Sequence, residues 1–261
     1  MTDLTYNRVQ AALDQLKLTA MPACLDDLAQ QAAAHEWTYV EFLDQLLDAE
    51  LSARHEREVA VKTRHAHFPF VKTLDQFDFT FQPSIHERQV RDLAAMRFVA
   101  HGENILFLGP PGVGKTHLAI SLGMAAIVQG ISVVFLSLAN LLEQVERAAK
   151  TDRLEQQLRT LSRPKLLILD EMGYFPLNRQ AAQFLFQLVS RRYQKGSILL
   201  TSNKSYGDWG DIFSDSVLAA AILDRLLHVS TTINIRGQSY RLREKQKAGV
   251  FHTLPEVHPT S

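Results

Sequence analysis

Eight consecutive residues, Gly109-Pro110-Pro111-Gly112-Val113-Gly114-Lys115-Thr116, place three glycines, a lysine and a hydroxyl at a spacing that suits a polyphosphate. They fit G-x-x-x-x-G-K-[ST] and stand between the apolar run Ile105-Leu106-Phe107-Leu108 and a helix predicted over 115–129. That setting is what gives the pattern weight. The glycines let the backbone turn so that successive N–H groups face an anion. The following helix adds the positive end of its dipole. Lys115 can then reach the β- and γ-phosphates, and the Thr116 hydroxyl can join the oxygen shell of Mg²⁺. ATP and Mg²⁺ are the expected ligands, with Gly109, Pro110, Pro111, Gly112, Val113 and Gly114 wrapping the phosphates.

A second apolar run, Leu166-Leu167-Ile168-Leu169, ends in Asp170-Glu171. A carboxylate at the tip of such a strand can hold Mg²⁺, which makes Asp170 the second expected metal ligand beside Thr116. Glu171 is placed to take a proton from an attacking water, which points to hydrolysis. A kinase needs an acceptor pocket, for which the sequence gives no signal. A third run, Ile198-Leu199-Leu200-Thr201, leads to Ser202-Asn203. Asn203 could hydrogen-bond the γ-phosphate and the water; read alone it is an ordinary turn residue. Asp224-Arg225-Leu226 closes a helix predicted over 215–227. Arg225 suits the charge that spreads over a transferring phosphoryl group, from its own chain or from a neighbouring subunit. The alternative is a structural ion pair with Asp224 or Asp215.

These groups need elements to carry them. From about residue 85, short apolar runs alternate with helices. Strands are expected at 105–108, 133–136, 166–169, 198–201 and 231–235, and helices at 115–129, 139–162, 178–194 and 215–227. Continuous apolar strands between helices are the mark of an α/β fold whose parallel sheet is covered on both faces. The first ~65 residues read instead as helices. Val9, Ala12, Leu13 and Leu16 recur at helical spacing, as do Leu25, Leu28, Ala29 and Ala32. Thr38 and Glu41 form a capping-box pattern ahead of an apolar stripe of Phe42, Leu43, Leu46, Leu47 and Leu51. Between these regions, Pro69 and Pro83 bracket five phenylalanines, of which Phe77, Phe79 and Phe81 alternate as in an extended segment. The expected organisation is a helical domain over 1–67, a linker over 68–84 that docks on the core, an ATPase domain over 85–248 and a disordered tail over 249–261 containing Pro255 and Pro259.

The chain has 261 residues and a formal net charge of zero, but the charge is uneven. Residues 1–50 carry two basic and nine acidic side chains, the remainder 26 and 19. Such a split suits a polyanionic partner for the basic part, although uneven surface charge also arises without one. There is one cysteine, Cys24, no Cys/His spacing of a zinc site, no secretory leader and no apolar run of membrane-spanning length. No membrane partner and a reducing cytoplasm are expected.

The four features in this order resemble the AAA+ ATPases, and the resemblance narrows further. Glu103-Asn104-Ile105, Gly114-Lys115-Thr116-His117-Leu118-Ala119, Leu169-Asp170-Glu171-Met172-Gly173-Tyr174, Arg191-Arg192-Tyr193, Thr201-Ser202-Asn203, Asp208-Trp209, Ala221-Ile222-Leu223-Asp224-Arg225-Leu226-Leu227-His228 and Gly237-Gln238-Ser239-Tyr240-Arg241 are similar to the IstB family. The likeness runs from about residue 70 to 247. It implies a five-stranded AAA+ core preceded by a small all-α domain, related to the helicase loader DnaC. It further implies ATP-driven assembly of subunits on duplex DNA, with Arg225 acting in trans. The assembly would remodel target DNA and recruit a partner transposase for insertion-sequence transposition in a bacterial cytoplasm. The rival reading is a DnaC-like helicase loader. By the same resemblance His117 and Arg241 join the nucleotide site. Arg147, Lys150 and Arg153 fall in a segment that faces the DNA path in relatives, although interspersed acids also suit a solvated helix. Arg236, Arg241, Arg243, Lys245 and Lys247 form a second basic stretch.

Overall fold

A computed structural model describes residues 3–213 and 215–247. The tail over 249–261 lies outside the described residues, as do the side chains of residues 244–247, Lys245 and Lys247 among them. The chain divides into two compact units, residues 1–61 and 62–261.

The first unit is helical: α1 spans Asp3–Gln15, α2 Met21–Ala34, and α3 begins at Tyr39 and runs to Ala66. The capping box forms, with Thr38 N–H donating to Glu41 Oε2 at 2.7 Å and Glu41 N–H to Thr38 Oγ1 at 3.3 Å. The expected apolar stripe divides. Leu46 is buried, while Leu43, Leu47 and Leu51 are exposed. One turn after Leu46, the buried Glu50 carboxylate accepts the Ala20 and Met21 N–H groups at 2.7 and 3.4 Å, capping α2. Arg57 pairs with it at 3.0 Å and also bonds Thr19.

After the end of α3, the second unit continues through a chain of turns rather than an extended segment. Asp78 Oδ1 accepts Thr80 Oγ1 at 2.5 Å and Phe81 N–H at 3.1 Å, an Asx-type turn that competes with strand geometry. The turns bring the Phe77 and Phe79 rings together, 4.8 Å apart, instead of alternating them along a strand. Phe68 packs edge-on to Phe135, Phe77 to His117 and Phe81 to Tyr240. Two short helices follow, α4 (Glu87–Leu93) and α5 (Arg97–His101).

The rest alternates as the apolar runs predict: β1 Asn104–Leu108, α6 Lys115–Val128, β2 Val133–Ser137, α7 Leu138–Lys150, α8 Leu154–Ser162, β3 Leu166–Met172, α9 Arg179–Arg192 and β4 Ser197–Ser202. Then come α10 (Trp209–Phe213), α11 (Ser216–Leu227), β5 (Ser230–Asn234) and α12 (Tyr240–Lys247). The stretch expected as one helix over 139–162 is two. Asp152 adopts φ +54°, a left-handed value that no helix interior tolerates. The strands form one parallel sheet in the order β2-β3-β4-β1-β5. β1, β3 and β4 are buried along their whole length apart from Glu171, because helices cover both faces.

Beneath the sheet lies a cation that sequence reading left without a role. Arg192 is buried and donates to five carbonyl oxygens, those of Leu161, Ser162, Pro164, Lys165 and Ser197. It ties the end of α8 to the starts of β3 and β4. Burial pulls its guanidinium down to about 10.

Ile168, at the centre of β3, is fully buried. Ile168→Ala is expected to destabilise the core by about 2–5 kcal/mol, measured as a lower midpoint in denaturant unfolding with an unchanged slope.

Candidate functional site

The strand order sets the site. β4 stands between β3 and β1, so the tip of β4 lies between the Asp170-Glu171 tip and the loop that follows β1. Ligands in open α/β sheets sit beyond the carboxyl ends of the strands.

The loop after β1 is anchored by Gly109 N–H donating to Ser202 O at 3.1 Å. Gly112 and Gly114 lie at φ +82° and +98°, a region where a side chain is strained. Gly114 also has no room: an added Cβ would stand 2.6 Å from the Phe77 ring. Gly114 is the residue before α6, so the free N–H groups of the first turn open at the loop.

Lys115 is buried and folds back on the loop, its ammonium donating to Gly109 O at 2.6 Å and Pro110 O at 2.8 Å. Burial pulls its pKa down to about 8, against the attraction of Asp170. Thr116 Oγ1 stands 3.0 Å from both Asp170 carboxylate oxygens.

Asp170 is held from the other side by Thr201 Oγ1 at 2.5 Å. Burial raises the Asp170 pKa, and the two threonine hydroxyls and Lys115 oppose that rise. Thr201 also accepts Glu171 N–H at 3.0 Å. Here the β3–β4 ladder shifts: Leu169 pairs with Leu200 and Met172 with Ser202, so two residues of β3 face one of β4. This is a bulge, which bends a strand and re-aims its side chains. Glu171 takes φ +65° in it, a left-handed value for a non-glycine residue.

Part of this arrangement borders a cavity of about 340 Å³. Gly112, Val113, Gly114, Lys115, Thr116, His117, Glu171, Thr201 and Arg241 contribute to it, as do Phe77 and Tyr240. The structure thus brings the loop, the acid tip and Arg241 around one space. His117 turns toward the segment before β1, its Nε2 3.2 Å from Thr73 O and its ring 5.2 Å from that of Phe77; burial lowers its pKa.

Six expected residues do not line that space: Gly109, Pro110 and Pro111 at the start of the loop, Asp170, which lies behind Thr116 and Thr201, and Asn203 and Arg225. Asn203 has a buried Oδ1 packed against Gly173. Arg225 lies over the Phe186 ring of α9, with Nη1 donating to Ala221 O at 2.9 Å. Asp215 is used elsewhere, capping α11 through the Val217 and Leu218 N–H groups. Of the cations considered for DNA, Arg147 pairs with Glu143 at 2.5 Å, while Lys150 and Arg153 are exposed. Thr201 is the residue that sequence reading passed over in favour of Asn203. Its signal was its place as the last strand residue before two further polar ones, but only the sheet order shows that it faces Asp170.

A parallel sheet in this order, with the phosphate loop after β1 and an acid pair at the end of β3, defines an AAA+ P-loop nucleoside-triphosphatase fold. The fold resembles that of DnaI, with a TM-score of 0.55 at 19% identity over 63% of this chain and 91% of that one. It also resembles AMPPCP-bound DnaA from Aquifex aeolicus, with a TM-score of 0.54 at 19% identity over 73% and 59%. At these identities the likeness concerns the fold alone. The chain belongs to the IstB-like ATP binding protein family, whose pattern matches residues 11–248. A Pseudomonas aeruginosa protein named for ATP binding in insertion sequence IS21 is 51% identical over 245 residues, covering 94% of this chain and 92% of that one. A Geobacillus stearothermophilus protein named likewise for insertion sequence IS5376 is 47% identical over 239 residues, covering 92% and 95%.

The lowered Lys115 pKa carries a sign. A bound phosphate favours the ammonium and raises its pKa, so polyphosphate binding above pH 8 takes up a proton. Affinity for ATP is therefore expected to fall as pH rises through about 8. Calorimetry in buffers of different ionisation enthalpy should show proton uptake at pH 8.5 and little at pH 6.5; equal uptake at both would contradict the assignment.

Proposed function

We propose that this chain is an ATP-hydrolysing, DNA-binding AAA+ ATPase of transposition. In this reading ATP drives assembly of several copies on duplex DNA. The assembly remodels that DNA and recruits the transposase of the same insertion sequence. The observation that carries the ATPase reading is that Lys115, Thr116 and Glu171 line one cavity, with Thr116 in hydrogen-bond contact with the buried Asp170 at 3.0 Å. The names of relatives at 51% and 47% identity support the insertion-sequence setting and favour it over a helicase loader. A bacterial cytoplasm fits that setting, and among the described residues no helix is long and apolar enough to cross a membrane.

The proposed chemistry starts with Lys115 exchanging two backbone carbonyls for phosphate oxygens. The Thr116 hydroxyl and the Asp170 carboxylate fit the hard-oxygen preference of Mg²⁺. Among the described residues no cluster of three ligating side chains forms a cage for a metal. Mg²⁺ held by Thr116 and Asp170 would supply charge neutralisation for the phosphates. Thr201 keeps Asp170 in place. Glu171 takes one proton from the attacking water as the water oxygen bonds phosphorus and the bond to the ADP oxygen breaks. Arg241 lies at the same cavity and suits the phosphate charge. Arg225, which does not line the cavity of its own chain, serves the nucleotide of a neighbouring copy. Asn203 reaches the γ-phosphate by rotating off Gly173. Lys150 and Arg153 remain the exposed candidates for phosphate contacts with DNA, with Arg147 shared between Glu143 and such a contact.

The division into a helical domain over 1–67, a docking linker over 68–84 and an ATPase domain over 85–248 belongs to the same proposal. The packing of Phe77 on Gly114 and His117 supports the docking.

Glu171→Gln is expected to keep ATP and DNA binding and lose turnover by about 10²–10⁴-fold. Phosphate release and filter binding on duplex DNA measure the two separately; full turnover would remove Glu171 from the mechanism. Lys115→Ala is expected to lose ATP binding, read by a fluorescent nucleotide, and with it any ATP-dependent retention on DNA. Retention that ignores ATP would sink the assembly reading while leaving hydrolysis standing.

A further inference from the structure

Arg225 does not lie loose on α11. Its guanidinium carbon sits 4.8 Å from the centre of the Phe186 ring, and Nη1 donates to Ala221 O one turn back. A second contact runs parallel to the first. Tyr193 Oη and His228 Nδ1 are 3.0 Å apart, and their rings 5.7 Å. Tyr193 follows Phe186 by two helical turns at the end of α9, and His228 follows Arg225 by about one turn at the end of α11. One edge of α9 thus meets one edge of α11 twice, and each meeting joins an aromatic ring to a basic side chain.

A free arginine samples many rotamers, and these must be frozen before it meets a phosphate. An aromatic face attracts a guanidinium and narrows that search in advance. A leucine in place of Phe186 would keep the apolar packing but lose the attraction. Phe186 is half-buried, and so is Arg225.

We propose that α9 is the mount for Arg225. Phe186 holds the guanidinium and Tyr193, through His228, fixes the end of α11, so the arginine is presented to the nucleotide of a neighbouring copy. Phe186 and Tyr193 are positioning residues that touch neither nucleotide nor reacting atoms. The proposal rests on the reading of Arg225 as a residue that acts in trans.

Full-length variants mixed in pairs separate the two ideas. Arg225→Ala keeps its nucleotide site, and Glu171→Gln keeps ATP binding and its arginine. Mixing them is expected to restore ATP turnover that neither has alone. The donor Glu171→Gln/Phe186→Leu is expected to restore about tenfold less, with KM for ATP unchanged within about twofold. The donor Glu171→Gln/Phe186→Tyr, which returns the aromatic face, should match the parent donor. No recovery in the first mixture overturns the trans reading and the mount together. Recovery that is equal, or greater, with the leucine donor overturns the mount alone and leaves the trans reading standing. If the leucine donor shows no cooperative thermal transition, Glu171→Gln/Tyr193→Phe carries the test. Its single lost hydroxyl should lower recovery by about threefold, and undiminished recovery would count against the mount.

Discussion

One buried carboxylate organises the site. Asp170 sits at the end of β3 with a hydroxyl on either side, Thr116 from the first turn of α6 and Thr201 from the tip of β4. A buried anion is tolerated only where hydrogen bonds and charge offset its lost hydration. Two hydroxyls and the Lys115 ammonium provide that here, and in doing so they bind the phosphate loop to the sheet. Lys115 gains from the same arrangement: its own burial is opposed by the Asp170 charge. The ammonium also donates to the Gly109 and Pro110 carbonyls.

The bulge next to Asp170 follows from the same contact. Thr201 takes Asp170 with its hydroxyl hydrogen and Glu171 N–H with its lone pair, so one β4 residue serves two residues of β3. The ladder must slip there, and Glu171 takes the left-handed backbone that the slip requires. Left-handed backbone on a residue with a side chain persists where the surroundings over-determine it. The surroundings in this case are three hydrogen bonds made by two threonines.

Outside that centre the unit is divided by function of contact rather than by distance along the chain. Segments before β1 and after β5 meet at the cavity: Gln82 Nε2 donates to Gln238 O at 3.0 Å, and Tyr240 N–H to Gly112 O at 3.0 Å. Arg225 rests where α11 packs on α9. Arg225 is not among the residues that line the cavity, which suits the assembly proposed above.

Much of this was legible in the residues. The runs at 105–108, 133–136, 166–169 and 198–201 became β1 to β4 within a few residues, since a strand buried on both faces must be continuously apolar. The phosphate loop announced itself by glycine spacing, because few backbones can point several N–H groups at one anion. What the residues left open were matters of neighbourhood. Asp152 splits a helix that periodicity runs together, since periodicity does not see backbone torsion. Asp78 folds the alternating phenylalanines into turns, since one side-chain acceptor outweighs a short strand pattern. The order β2-β3-β4-β1-β5 sets Thr201 beside Asp170 and leaves Asn203 against Gly173, and the packing of α9 on α11 puts Arg225 over Phe186. Local sequence determined which elements form and which groups they carry. Only tertiary structure decided which groups meet, because strand order and helix packing are fixed by burial summed over the whole core.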